Sequence, residues 1–321
     1  MSEFPGYFWV LFNGAVVVLL VLDLFVFHRK DHVIKFKEAV LWSLFWISLA
    51  VGFNVWIYLT HGRQPALEFA AGYLLELSLS VDNLFVFILI FSAFCVPPDS
   101  HYKVLFWGIL GAVIMRFLFI MFGLALIEKF HWVIYFFAAI LIFSGAKLFF
   151  EKEKKLDPSK NIALRIFKRI MPTTHEFHGH KFFIKQGAKL LATPLFVVLI
   201  VIETTDVIFA LDSIPAIIAV TRDPFIVYTS NIFAILGLRS MYFALEHLMK
   251  LFEYLHYGLG AILIFVGAKM VISEFYHVPI GVSLGVIFTL IAASIIASIL
   301  LIKKRGETIV EPHAMPPDCK L

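Results

Sequence analysis

Long apolar runs broken by short polar stretches recur along the whole chain. They fall at about 8–27, 38–60, 67–95, 104–126, 131–150, 193–221, 227–247, 255–273 and 280–302. Each has the roughly 18 or more residues that carry a helix across a hydrocarbon core. The pattern predicts an all-α polytopic membrane protein with nine transmembrane helices. The first run is not expected to be a cleaved leader, because "MSEFPGYF" lacks a basic segment and no small-x-small site follows.

The polar stretches are unequal in charge. Arg29, Lys30, Lys35 and Lys37 follow the first run, ten Lys and Arg residues between Lys152 and Lys189 follow the fifth, and Lys303, Lys304 and Arg305 follow the ninth. The alternate stretches carry little more than Arg63, Lys129 and Arg222. Basic loops stay in the cytoplasm, so the N-terminus is expected outside and the C-terminus inside, as nine crossings require.

The runs also repeat. "LIFSGAK" at 141–147 returns as "LIFVGAK" at 263–269, Arg116 in "MRF" returns as Arg239 in "LRS", and "SVDN" returns as "ALDS". Each copy spans three helices, and the odd number turns the second upside down relative to the first, the inverted plan of secondary transporters. The organisation read from this is two leading helices with their loops (1–66), a first three-helix repeat (67–150), a basic cytoplasmic loop (151–192), a second repeat (193–273), a last helix (274–303) and a cytoplasmic tail (304–321).

Inside the runs stand ionisable residues that a lipid-facing helix would not carry. Glu76, Asp82, Glu203, Asp206, Asp212, Arg116, Arg239, Lys147 and Lys269 would together cost roughly 22–32 kcal/mol if all were central, unpaired and exposed to lipid. They are expected to face the bundle interior, a cavity, each other or a cation. Glu76, Ser80 and Asn83 share one helical stripe, as do Glu203, Asp206, Ala210 and Ser213. Asp82 and Asp212 fall off those stripes, so only a local helix break would bring them to the same side. Pro215 gives a reason for one in the second copy, and symmetry alone suggests one in the first. Arg116 and Arg239 are expected to offset the acidic charge. Lys147 and Lys269, at helix ends, are expected to snorkel to the interface, and Asp23 and the many phenylalanines are read as filling.

"ELSLSVDNLFVF" and the long segment from "ATPLFVVLIVIETTDVIFALDSIPAII" to "GLRSMYFAL" resemble the TerC family of integral membrane proteins, named for tellurite resistance, over about residues 8–303. The resemblance implies a fold of the lysine-exporter superfamily type, placement in a bacterial inner membrane and, for several members, manganese export. It places the metal on Glu76, Asp82 and Asn83 of the first repeat and on Glu203, Asp206, Asp212 and Ser213 of the second. It also leaves open a rival role in membrane-protein assembly or tellurite resistance without transport, in which the basic loop would be the working surface.

Composition narrows the field. At 61% hydrophobic and 16% charged residues, with mean hydropathy +0.91, the chain has little room for a soluble catalytic domain, and it has no phosphate-binding loop for an ATP-driven pump. No enzyme activity and no resident cofactor are expected. The net charge of +4 lies in loops and predicts no nucleic-acid partner. Carboxylate, amide and hydroxyl oxygens suit a hard cation, Mn²⁺ or Ca²⁺, rather than one that seeks thiolate or imidazole. Carboxylates crowded in a low-dielectric site also hold protons more readily, so proton and metal can exchange there. His175, His178 and His180 resemble a metal-sensing cluster but are read as a solvated loop, and Cys95 and Cys319 suggest no disulfide framework.

Overall fold

A computed structural model describes residues 4–25, 36–130, 132–150, 171–174, 176–186, 189–248, 255–272 and 278–305, with Phe167 and Arg169 besides. Among the described residues ten helices follow in order: α1 Gly6–Phe25, α2 Phe36–His61, α3 Arg63–Ala93, α4 Pro98–Lys129, α5 Val133–Phe150, α6 Pro194–Ile218, α7 Pro224–Leu236, α8 Leu238–Glu246, α9 Leu255–Ile272 and α10 Ile280–Arg305. Among the described residues seven are long and apolar enough to cross a membrane, and the stretches Gly6–Leu22 and Pro224–Leu236 are shorter apolar helices. The chain is an all-α integral membrane protein. The side chain of Asp23, most of the basic loop, His175 and the tail from 306 onward lie outside the described residues.

Four details depart from the hydrophobic pattern. The seventh run is two helices meeting at Gly237, the residue type least able to hold a helix after proline. Helix α2 packs against this point at ordinary contact distance, with Trp46 Cβ 3.5 Å from where a Cβ of Gly237 would lie. A two-stranded antiparallel hairpin, β1 Phe183–Gln186 and β2 Lys189–Ala192, precedes α6. It is held down where Phe183 packs 4.4 Å from Phe196 and where Thr193 donates a hydrogen bond to the carbonyl of Lys181. Neither expected break exists. Helix α6 runs on through Pro215, and α3 is continuous through Asp82. Finally, Cys95 is disulfide-bonded, which corrects the reading that the cysteines suggest no disulfide; Cys319 is outside the described residues.

The third helices of the two sequence copies, α5 and α9, pack backbone to backbone. A Cβ on Gly145 would lie 2.6 Å from the carbonyl oxygen of Gly260, and one on Gly267 would lie 2.9 Å from that of Ala138. Residue 145 thus meets 260 while 138 meets 267, so the helices run antiparallel. Small residues are what allow such approach in lipid, where packing rather than water expulsion holds helices together. Gly145→Val is expected to lower the melting temperature of the detergent-purified protein by several degrees, since overpacking of this kind costs about 1–3 kcal/mol. An unchanged melting temperature would count against the contact.

Candidate functional site

The acidic helices meet on one arginine. Arg116, midway along α4, is completely buried, and Glu76 of α3 is 1% exposed beside it. Arg116 Nη1 donates to Glu76 Oε1 in an ion pair and to Ser213 Oγ at 2.8 Å. Its Nη2 donates to Asp206 Oδ1 at 3.5 Å. A guanidinium presents its donors as a rigid planar fork, so a single side chain reaches α3 and α6 together. Stripe geometry delivers these partners, because Asp206 and Ser213 lie two turns apart on one face of α6.

Each acid keeps a further oxygen. Glu76 Oε2 and Asp206 Oδ2 are buried without a hydrogen-bond partner, as are Arg116 Nε and Ser80 Oγ. Such groups normally find partners, so unmet carboxylate oxygens beside a shared arginine mark a place with ligating capacity to spare. Asn231 of α7, also fully buried, has both amide atoms unmet.

The remaining predicted residues lie around this centre. Asp212 projects from another side of the unbroken α6 and accepts a hydrogen bond from Ser144 of α5 at 2.7 Å. Glu203 is half-buried against α4, where a Cβ on Gly111 would collide with its carboxylate. Asp82 is half-buried and Asn83 buried on α3. Arg239, the sequence mate of Arg116, lies over the Tyr102 ring at 4.7 Å. Lys147 is exposed, as a snorkelling residue should be, whereas Lys269 is half-buried and within electrostatic reach of Glu68. Among the described residues no three or more His, Cys, Asp and Glu side chains are gathered closely enough to hold a metal ion. His178 bonds the carbonyl of Glu176, and His180 bonds Ser100 Oγ.

Three contributors escaped the sequence reading. Ser144 is the lone hydroxyl of "LIFSGAK", and its polarity inside an apolar repeat was the available signal. Gly111 matters only through the carboxylate that it admits. The third is a buried set on α4 and α8, in which His101 Nδ1 lies 3.2 Å from the Tyr242 hydroxyl and 3.8 Å from Glu246 Oε1. Nothing in their spacing, 141 residues for the first pair, announced it.

Comparison with known proteins agrees with this architecture. The model of the family described as "Integral membrane protein TerC family" matches residues 61–307, leaving α1 and almost all of α2 outside the match. An uncharacterized membrane protein, STKORF319, of Myxococcus xanthus is 52% identical over 94% of this chain and 93% of its own length. Proteins named "Putative membrane-bound redox modulator Alx" from Salmonella typhi and Escherichia coli K12 are each 45% identical, over 90% of this chain and 92% of theirs. No solved structure matches. With the family match spanning most of the chain and relatives aligned along nearly all of it, the protein belongs to the TerC family of integral membrane proteins.

Proposed function

We propose that the protein exports a divalent cation, Mn²⁺ foremost, from the cytoplasm in exchange for protons, through the site around Arg116. The observation that carries this reading is the pair of acids from two helices, Glu76 and Asp206, drawn onto one buried arginine with an oxygen of each left unmet. In the cation-free arrangement Arg116 supplies the positive charge. A cation entering between α3 and α6 would compete with it for the same carboxylates, with Asn83 and Ser213 as neutral oxygen donors and Glu203, Asp82 and Asp212 lining the approach. After release Arg116 offsets one of the two acids, and a proton taken up by the other would restore neutrality. The donor set is all oxygen, which favours Mn²⁺, Mg²⁺ or Ca²⁺ over Zn²⁺ or Cu⁺. The excess of Lys and Arg in the basic loops supports an orientation with the N-terminus outside and the hairpin before α6 in the cytoplasm. No catalytic role is proposed.

Metal content tests this in cells. Bacteria lacking the protein should hold more manganese after a manganese challenge than those producing it, and zinc should not change. Equal manganese in both would remove the proposal's main support.

A second reading takes up the name of the enterobacterial relatives, a redox role, and rests on the disulfide at Cys95. Cys95→Ser discriminates the two. Export through Arg116 predicts unaltered manganese content in that variant, whereas a redox device working through this disulfide predicts loss of function. An assembly role through the basic loop predicts instead that neutralising Lys181, Lys185 and Lys189 is the damaging change.

A further inference from the structure

Glu68, Gly72 and Glu76 follow at four-residue steps along α3, so they drift slowly around the helix and line one seam. Helix α6 and the turn after it answer in reverse order. Glu76 and Ser213 share Arg116 Nη1. A Cβ on Gly72 would lie 3.0 Å from Cδ1 of Ile217, and 2.9 Å from Ser230 Oγ of α7. Thr221 donates a hydrogen bond to Glu68 Oε2 at 2.5 Å. Each step of four along α3 is met by a step of four back along α6, so one antiparallel seam runs from the buried site to the end of the bundle away from the β-hairpin.

The seam changes character on the way. At its middle, Ile217 is 1% exposed, and Gly72 gives it room. At its end the groups are polar. Glu68 also accepts from Gln64 at 2.9 Å, and Lys269 of α9 is within electrostatic reach of it. Thr221 accepts from the backbone N–H of Asp223 at 3.2 Å. Asp223 in turn caps α7, accepting from the N–H groups of Phe225 and Ile226.

We propose that this seam is the gate at the outer end of the transport path. Ile217 seated on Gly72 is the plug, and Glu68 bonded to Thr221 is the latch that holds it shut in this conformation. The inference rests on the transport reading, since a gate presupposes a path. A dry apolar constriction stops a hydrated cation without any specific contact, and a glycine beneath the plug lets the two helices close fully. The latch joins the first repeat to the second at the point where they must part for release outward. It is made of one hydroxyl–carboxylate bond, so it can be broken by a modest shift in population.

Thiol accessibility tests the gate without any metal. In a background with Cys95 and Cys319 replaced by serine, Ala210→Cys places a thiol on the site-facing stripe of α6, below the plug. A membrane-impermeant methanethiosulfonate reagent, applied from the outer side, should label it slowly. Adding Thr221→Val or Glu68→Ala should raise the rate by about tenfold or more. Oxidising the pair Glu68→Cys with Thr221→Cys should return it to the slow rate. Fast labelling of the parent, or variants that label no faster than the parent, would overturn the gate. Because this readout needs no transport, faster labelling in a protein that carries no Mn²⁺ would sink the transport reading alone, while active transport with unaltered labelling would sink the gate alone.

Discussion

Arg116→Gln should strip the protein of both stability and transport, the largest single loss expected for any residue in the chain. The substitution leaves Glu76 and Asp206 facing each other across a site that Arg116 now fills at 0% exposure. Removing one partner of a buried ion pair costs about 3–5 kcal/mol, because the remaining charge stays desolvated. Thermal unfolding in detergent should show a large drop in melting temperature, and yield in the membrane should fall. Arg116→Lys should be milder, yet still impaired, since an ammonium cannot span Glu76, Ser213 and Asp206 as a planar fork does. The triple variant Arg116→Gln, Glu76→Gln, Asp206→Asn should regain much of the stability without regaining transport, as residues of one network are not additive. If Arg116→Gln melts like the parent, the arginine is not the counter-charge described. Gln at Lys147, which is exposed at its helix end, should do little.

The second large effect separates charge from structure. Asp212→Asn retains an oxygen that can accept the bond from Ser144 and removes a negative charge from the bilayer interior, which tends to relieve a desolvation cost rather than add one. The variant should therefore reach the membrane at near-parental levels. Manganese export should nonetheless fall by an order of magnitude or more, about the loss expected when a carboxylate that balances a divalent cation becomes an amide. Asp82→Asn is expected to behave alike. Cells producing either variant should accumulate manganese and become sensitive to it. Normal export by both variants would remove these residues from the path and shift the site wholly onto Glu76, Asp206 and their neighbours.

Periodicity and cost were enough to find most of this arrangement in the sequence. Acids at Glu76 and Asp206 could not be left in lipid, and Arg116 was expected to offset acidic charge; which acids it would meet was not legible, because the interior, a cavity, each other or a cation could equally have received them. Stripe geometry separated Asp212 from Ser213, and the structure keeps them on different sides. The expected helix breaks went the other way. Pro215 removes one backbone donor, but that single loss did not interrupt α6, whereas Gly237, which the hydrophobic pattern passed over, did divide its run. Hydropathy averages over a window and so cannot see a one-residue interruption. Partners supplied by distant segments were hidden for a different reason. Ser144 bonds Asp212 from 68 residues away, and Thr221 bonds Glu68 across 153; such pairings depend on helix packing, which local pattern does not encode. The two arginines show the limit of symmetry, since Arg116 gathers acids from both copies whereas its mate Arg239 lies over an aromatic ring.

Reconstitution tests the central claim most directly. Purified protein in sealed liposomes of neutral and anionic lipid, loaded with a Mn²⁺-quenched dye and given a proton gradient, should move Mn²⁺ in the direction opposite to the protons. Movement should collapse with a protonophore and be absent in Asp212→Asn. Liposomes holding folded wild-type protein that pass no divalent cation under either polarity of the gradient would contradict export by this chain, whatever the cells show.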